Sequence, residues 1–285
     1  MRKLLRANFS RLWRNKLFWL GILLMMLAGI RNLAVNVSRS GYLDPNSLMF
    51  AAGMIISPIV AAFVGLFIGA EYSNGTIRNK IISGHSRCII YLANWLVSIT
   101  AASILHIAYL LVVAVGGAIL RFGFIVKPTV SLVLSLVSVV SVITLCTVFL
   151  FFAMLIRNKS IAVVVLLLLS VSFIYYSDFY KSQLDTSEYI PVMWDENDDA
   201  VLLYKKNPDY PTGVRRQYYK VMYYALPNSQ IKQIREMADT AAGKNKGYIT
   251  EEQQKTLVRF CCGSALLILL CNGGGLLIFR KKDLT

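Results

Sequence analysis

Charged and catalytic side chains are scarce in this sequence. Of 285 residues, 16% are Asp, Glu, Lys or Arg, and two are histidine. The apolar stretches contain almost no carboxylate or histidine, so a metal or hydrolytic site within a membrane is not predicted. The glycine-rich phosphate-binding motif G-x-x-x-x-G-K-[ST] is also missing, as are H-E-x-x-H and G-x-S-x-G. We therefore predict no enzyme activity and no bound metal or cofactor for this chain.

Cysteine is absent from the longest polar segment, residues 177–258. The five cysteines all lie in or beside apolar stretches, at Cys88, Cys146, Cys261, Cys262 and Cys271. No disulfide is therefore predicted to hold the polar segment together. It also has few large aliphatic side chains. We expect it to pack on the membrane end of the chain or on a second subunit, because it has too little core to fold alone.

Long hydrophobic runs dominate what is present. Hydrophobic residues make up 56% of the chain, and the mean hydropathy is +0.56. Several runs reach the ~20 residues that cross a ~30 Å hydrocarbon core. We predict an all-α polytopic membrane protein with six transmembrane helices, at residues 17–37, 48–70, 89–120, 130–156, 161–176 and 259–279. The chain then divides into residues 1–176 with five spans, an extracytoplasmic insertion at 177–258, and residues 259–285 with the last span.

The net charge of +15 predicts an orientation rather than a nucleic-acid partner. No motif for reading nucleic acid accompanies the charge, and most basic residues flank spans. One side would carry Arg2, Lys3, Arg6, Arg11, Arg14, Lys16, Arg78, Lys80, Arg87, Arg157, Lys159, Arg280, Lys281 and Lys282. The other side would carry Arg31, Arg39, Arg121 and Lys127. This asymmetry predicts a multi-pass plasma-membrane protein with both termini in the cytoplasm.

The first sixteen residues form a basic, amphipathic segment. Its predicted apolar face holds Leu5, Phe9, Leu12 and Trp13. Its predicted basic residues are Arg2, Arg6, Arg11 and Arg14. This pattern favours an interfacial helix on an anionic leaflet, with Arg6, Phe9, Trp13 and Arg14 as membrane-interface residues. Two alternatives are a solvated basic tail and a signal peptide, although no convincing cleavage site follows the apolar run.

Three features of the predicted spans carry further expectations. Gly65 and Gly69 form a G-x-x-x-G pair, which permits close approach of a second helix. Arg31 lies near the outer end of the first span and either snorkels to the interface or faces the bundle. His106 lies inside the third span, where it serves either a hydrogen-bonded packing role or a polar pathway.

The sequence EYSNGTIRNKIISGHSR, residues 71–87, interrupts two long apolar runs and organises the rest of the chain. Glu71 lies where the second span ends. Gly75 follows an asparagine and breaks the helix, and Thr76 is predicted to cap a short helix over Thr76–Ile82. Gly84 is predicted to end that helix. A short helix across the mouth of a bundle suits transmission of force from a soluble partner.

This segment resembles the E-x-x-x-G-T-x-R…G-x-x-R motif of type-2 exporter permeases of the ATP-binding-cassette family. The last residues, FRKKDL from Phe279 to Leu284, resemble that family's usual ending, and 226–230 (LPNSQ) is weakly similar to a segment before its last span. In that family the first motif forms the coupling helix that docks on the ATPase subunit. The resemblance implies ATPase-coupling roles for Glu71, Gly75, Thr76, Ile77, Arg78, Lys80, Gly84 and Arg87.

The same resemblance implies an ATP-driven exporter in which this chain is the permease. ATP and Mg²⁺ would bind a separate ATPase subunit, and a second permease, identical or different, would complete a dimer. The scarcity of charge in the spans favours a hydrophobic or amphipathic cargo such as a peptide, a drug-like molecule or a lipid-linked polymer. One alternative is a non-transporting sensor or immunity protein that binds a peptide through residues 177–258. An ion-coupled carrier is less favoured, because neither inverted repeats nor midplane ionisable groups are evident.

Residues 177–258 carry their own local predictions. Residues 177–207 are acidic and turn-rich, and Asp195-x-Asn197-x-Asp199 imitates the start of a calcium loop. Ala200 and Lys206 replace the required glycine and glutamate, so we predict a solvated loop instead. Helices are predicted at 214–225 and 229–242. The first is rich in tyrosine, which indicates an interfacial belt, a local core or a substrate wall. Thr250 and Gln253 are predicted to form a capping box before the last span.

Overall fold

The computed structural model describes residues 1–40, 48–120, 123–196 and 199–281. In those residues the chain forms ten helices and one β-hairpin. The helices are α1 (Arg2–Trp13), α2 (Lys16–Ser40), α3 (Gly53–Ser73), α4 (Thr76–Ile82), α5 (Arg87–Ile119), α6 (Pro128–Leu155), α7 (Lys159–Asp185), α8 (Gly213–Ala225), α9 (Pro227–Gly243) and α10 (Glu251–Lys281). The strands are β1 (Tyr189–Glu196) and β2 (Asp199–Lys206).

Six helices in the described part of the chain are long and apolar enough to cross a membrane, namely α2, α3, α5, α6, α7 and α10. This confirms the prediction of a mostly helical membrane protein. Helix α7 is longer than the predicted fifth span. It continues to Asp185, because its polar end packs on α8. Helix α10 begins at Glu251, directly after Thr250 of the predicted capping box.

Helix α3 packs most closely on α7, and two glycines make the approach possible. A β-carbon on Gly65 would lie 3.0 Å from the Cα of Val163. One on Gly69 would lie 3.0 Å from both the Cα and the Cβ of Lys159. The expectation that the G-x-x-x-G pair permits close helix approach is therefore confirmed, and the partner helix is the fifth span.

Residues 177–207 are not the loop that was predicted. They complete α7 and then form an antiparallel hairpin, in register from the Tyr189–Lys206 pair to the Glu196–Asp199 pair. The apolar and aromatic residues that flank the acidic turn favour strands, and their signal was hidden by that turn. Asp195 and Asp199 thus lie at the closed end of the hairpin, whereas Asn197 lies outside the described residues.

Helix α9 inserts into the bundle instead of lying on its surface. Ile231, Ile234 and Ala238 are fully buried, and α9 packs on α6, α7 and α3. Oε1 of Gln230 accepts hydrogen bonds from Oγ of Ser141 at 2.8 Å and from Oγ of Ser264 at 3.1 Å. Ser141 lies about 20 Å along α6 at 1.5 Å per residue. The expectation that residues 177–258 pack on the membrane end of the chain is confirmed, and the first turn of α9 penetrates it.

The loop that contains Lys127 and the loop that contains Gly247 contact each other beside α9. The backbone N–H of Lys127 donates to the carbonyl of Gly247 at 3.1 Å. Gly247 has a φ of +88°, and a β-carbon there would lie 2.5 Å from the carbonyl oxygen of Ile125.

The predicted capping box is confirmed, because Thr250 and Gln253 exchange hydrogen bonds of 2.8 and 3.2 Å. Arg121 and the terminal Lys282, Asp283 and Leu284 lie outside the described residues.

Candidate functional site

The short helix α4 lies at one end of the bundle, which we call the α4 end. Gly75 precedes it in a left-handed conformation with a φ of +63°, and Gly84 follows it with a φ of +82°. Both predicted glycine roles are confirmed, as are the bounds of α4. The predicted cap at Thr76 is wrong, because Thr76 is the first helical residue and Gly75 occupies the cap position without a side-chain hydrogen bond. The left-handed glycine makes the turn instead.

Glu71, near the end of α3, is fully buried. Its Oε1 forms ion pairs with Nη1 of Arg11 on α1 and with Nζ of Lys80 on α4. Its Oε2 accepts a hydrogen bond of 2.6 Å from Nδ2 of Asn94 on α5. One carboxylate therefore holds three other helices, and its burial is balanced by charged and polar partners.

Two asparagines close this arrangement into a ring. Nδ2 of Asn8 donates to Oδ1 of Asn94 at 2.8 Å, and Nζ of Lys80 donates to Oδ1 of Asn8 at 3.0 Å. We call the set Asn8, Arg11, Glu71, Lys80 and Asn94 the Glu71 network. Because each bond joins a different pair of helices, the network fixes α4 against α1, α3 and α5.

The network contains two cations for one carboxylate. Burial lowers the pKa of Lys80 below its ordinary value, and the attraction and hydrogen bond of Glu71 oppose that change. Burial also lowers the pKa of the Arg11 guanidinium, against the same opposing effect of Glu71. Arg11 gains a second contact, since its guanidinium carbon lies 3.8 Å from the ring centroid of Phe67. Glu71 is thus the counter-ion on which both cations depend.

Helix α4 has a second, free face. Ile77 is buried and Lys80 joins the Glu71 network, whereas Arg78, Asn79 and Ile82 are exposed. The Ile82 side chain is 75% exposed. The helix therefore presents a cation, an amide and a large apolar side chain outward while its opposite face is held by buried bonds.

The end of α10 lies beside this site. Nη1 of Arg87, the first residue of α5, donates to the carbonyl oxygen of Arg280 at 3.1 Å. Phe279 is fully buried, with its ring centroid 6.2 Å from that of Tyr91. A β-carbon on Gly275 would lie 2.3 Å from the Tyr91 hydroxyl oxygen, so this contact requires glycine. The two sequence segments that carried the family resemblance are therefore neighbours in the fold.

Helix α1 packs one face against the bundle, which the sequence analysis did not predict. Leu4, Asn8 and Leu12 are buried. Of the predicted interface residues, Phe9 is half-buried, whereas Arg6, Trp13 and Arg14 are exposed. The exposed indole of Trp13 belongs to an aromatic group in which Nε1 of Trp19 donates to the Trp13 carbonyl at 2.8 Å. The predicted apolar face was assigned to the membrane interface. Leu12 of that face is buried in the protein, and the stripe that packs in the bundle also contains Asn8.

Sequence reasoning identified Glu71 and Lys80 but missed the rest of the network. Asn94 lies in an apolar run, and Asn8 lies at helical spacing between Leu4 and Leu12. Both positions signal a buried amide that needs a partner. Arg11 was assigned to a basic face, and only the fold reveals its contact with a carboxylate 60 residues away.

Three predictions concern polar residues outside the Glu71 network. His106 is buried, and its Nε2 lies 2.9 Å from Oγ of Ser138, which favours the packing role among the two alternatives. Tyr219 and Tyr223 form a small core with Tyr180. The tyrosine-rich helix α8 therefore contributes to a local core, which was one of the three roles predicted for its tyrosines. Arg31 is exposed, which agrees with snorkelling.

Comparison of the sequence with protein-family models gave no match, and comparison with curated proteins gave none either. Membership of the exporter-permease family therefore stays a prediction. It is based on the sequences of residues 71–87 and of the end of α10.

Proposed function

We propose that this chain is the membrane-spanning permease subunit of an ATP-driven exporter and that α4 receives force from a separate ATPase subunit. The observation that carries the proposal is the two-sided character of α4. Lys80 fixes one side to three other helices through the Glu71 network, and the other side exposes Arg78 and Ile82. A rigidly held helix with a free outer face suits transmission of movement.

The free face also indicates the chemistry of the partner. Ile82 would fill an apolar pocket on the ATPase, and Arg78 would pair with acidic or carbonyl groups around it. Interface residues that carry binding energy are commonly large anchors surrounded by polar contacts. The basic residues of α1 and of the helix ends beside α4 support a cytoplasmic location for this end by the positive-inside rule.

In the proposed mechanism, closure of two ATPases would push on α4, and the Glu71 network would transfer the displacement to α1, α3 and α5. Two permeases facing each other would then open a path alternately on either side. The cargo is hydrophobic or amphipathic, in accordance with the scarcity of charge in the spans. This chain itself would bind neither ATP nor Mg²⁺.

A photo-crosslinking amino acid at Ile82 tests the proposal in native membranes. We expect a crosslink from this position to a nucleotide-binding ATPase. The matched control is Val214, which is 87% exposed on α8 away from the α4 end and should give no such product. Recovery of the chain without any ATPase, with and without crosslinking, would contradict the proposal.

Exposed aromatic residues favour a second candidate function, a peptide-binding sensor or immunity protein. Tyr175 is 63% exposed, and Tyr218 is 50% exposed at the same end of the molecule. Peptide binding to this surface in the absence of an ATPase would support the sensor. Stoichiometric purification with an ATPase would support the exporter.

A further inference from the structure

A basic cavity lies beside the Glu71 network where α1 turns into α2. It has a volume of about 490 Å³ and is lined by Ser10, Arg11 and Arg14 on one side and by Phe67 and Asn74 of the α3 end on the other. Because α3 ends at Ser73, this cavity lies where the span leaves the hydrocarbon. That is the depth of lipid headgroups.

Arg11 reaches this cavity with donors to spare. Its Nη1 serves Glu71, but Nε and Nη2 are buried and have no hydrogen-bond partner among the described residues. Unpaired buried donors are unfavourable, so an acceptor that approached them would stabilise the site. Arg14 is exposed and makes no ion pair with any residue that the structure describes. Two guanidiniums with unused donors match the oxygen atoms of a phosphate.

An apolar groove lies next to this cavity along α3. The cavity is bounded by α1 and the end of α3, whereas the groove is bounded by α2 and α3. The groove has a volume of about 330 Å³ and lies between Leu17, Leu20 and Leu24 of α2 and the segment from Pro58 to Leu66 of α3. Leu66 adjoins Phe67 of the basic cavity. From Leu66 to Pro58 the groove runs about 12 Å at 1.5 Å per residue. This covers most of one ~15 Å leaflet of hydrocarbon.

We propose that the cavity and the groove together form a binding site for one anionic phospholipid of the surrounding leaflet. Arg11 and Arg14 hold the headgroup phosphate, and one acyl chain lies in the groove between α2 and α3. A soluble phosphate ester would use the cavity alone, and a neutral detergent would use the groove alone. A phospholipid uses both, which is why the position of the two spaces side by side along α3 favours it.

The site has a consequence for the Glu71 network. Nε and Nη2 of Arg11 are buried in the structure, so a shift of the side chain would bring them to the phosphate while Nη1 remains on Glu71. The bound lipid would then balance the second cation of the network, which has one carboxylate for two basic side chains. An anionic lipid would thus tighten the contact of α1 with α3 and hold α4 more firmly. This consequence does not depend on transport, so it can be tested without knowing the cargo.

Native mass spectrometry of the full-length, delipidated protein tests the proposal. The ligands are dioleoyl phosphatidylglycerol and dioleoyl phosphatidylcholine, and glycerol 3-phosphate serves as a soluble competitor. We expect phosphatidylglycerol to bind roughly tenfold more tightly than phosphatidylcholine. Both lipids carry a phosphate, but the guanidiniums of Arg11 and Arg14 repel the choline ammonium of the second. Glycerol 3-phosphate in large excess should not displace it. Equal affinity for both lipids, or full displacement by glycerol 3-phosphate, would overturn the proposal.

Three variants and one control variant locate the site. Arg14→Gln removes an exposed guanidinium, and Arg11→Lys keeps a cation opposite Glu71 but removes the spare donors. Each should lose most of the preference for phosphatidylglycerol. The matched control is Arg6→Gln, because Arg6 is an exposed basic residue of the same helix and does not line the cavity. This variant should keep the preference for phosphatidylglycerol. Ala62→Phe fills the groove and should weaken binding of both lipids. If Arg14→Gln and Arg6→Gln behave alike, the charge of α1 acts only as a diffuse field and the site does not exist.

Discussion

The Glu71 network makes a quantitative prediction about stability. Glu71→Ala leaves Lys80 and Arg11 partly buried without their counter-ion, and breaking a buried pair in this way costs about 3–5 kcal/mol. Lys80→Met removes one cation and leaves Glu71 paired with Arg11 and Asn94. We therefore expect Lys80→Met to reduce the free energy of unfolding by less than Glu71→Ala does.

A double-mutant cycle measures the interaction directly. Unfolding would be followed by circular dichroism in mixed micelles as the fraction of denaturing detergent rises. The double variant Glu71→Ala/Lys80→Met should be more stable than the sum of the single effects predicts, by roughly 1–3 kcal/mol. The reason is that the second substitution removes a cation that the first left unpaired.

The matched control is Arg78→Ala, on the same short helix as Lys80 but exposed. Surface substitutions of this kind change the free energy of unfolding by about 0.5 kcal/mol or less. If Glu71→Ala is no more destabilising than Arg78→Ala, Glu71 is a solvated surface charge. If the single effects simply add, Glu71 and Lys80 are independent. Either result would refute the view that α4 is held by a buried ion pair.

Three further predictions address the rest of the fold. Gly75→Ala forces a β-carbon into a left-handed conformation and should lower the free energy of unfolding by about 1 kcal/mol, whereas Gly263→Ala, in open space on α10, should not lower it. Gln230→Leu removes the acceptor of the buried Ser264 hydroxyl and leaves Ser141 with the Val137 carbonyl alone, so hydrogen exchange of α9 should accelerate, consistent with a loss of about 1–3 kcal/mol. In a cysteine-free background, an impermeant maleimide should label a cysteine at Lys244 in intact cells but not one at Ser83, and the reverse pattern would invert the proposed orientation.

The sequence predicted the spans well because their length and hydropathy leave few alternatives in a bilayer. It predicted α4 equally well, since Gly75 and Gly84 both adopt backbone conformations that favour glycine. These are local determinants. Each acts within one turn of the chain, so the residue type alone carries the information.

The features that the sequence analysis missed depend on whether lipid or protein covers a given face of a helix. On α1, the stripe that was predicted to face the membrane and the stripe that packs in the bundle are both partly apolar, and lipid is as apolar as a protein core. Hydropathy therefore could not tell whether Leu4 or Leu5 faces the bundle. The decisive residue is Asn8, which needs a partner that only the interior supplies. The insertion of α9 was missed for the same reason, because Gln230 finds its hydroxyl partners on two distant helices.

Helix α3 connects the two ends of the molecule. At one end Glu71 anchors it in the network, and at the other the carbonyl of Gly53 accepts a hydrogen bond from Nδ2 of Asn228 on α9. Its close contact with α7 through Gly65 and Gly69 prevents it from tilting away on its own. A displacement of α4 must therefore either break the ion pairs of Glu71 or carry α3 with it. Breaking a buried ion pair costs several kcal/mol, so movement of α3 toward or away from α9 needs less free energy. A displacement of α4 would therefore change the contact between α3 and α9.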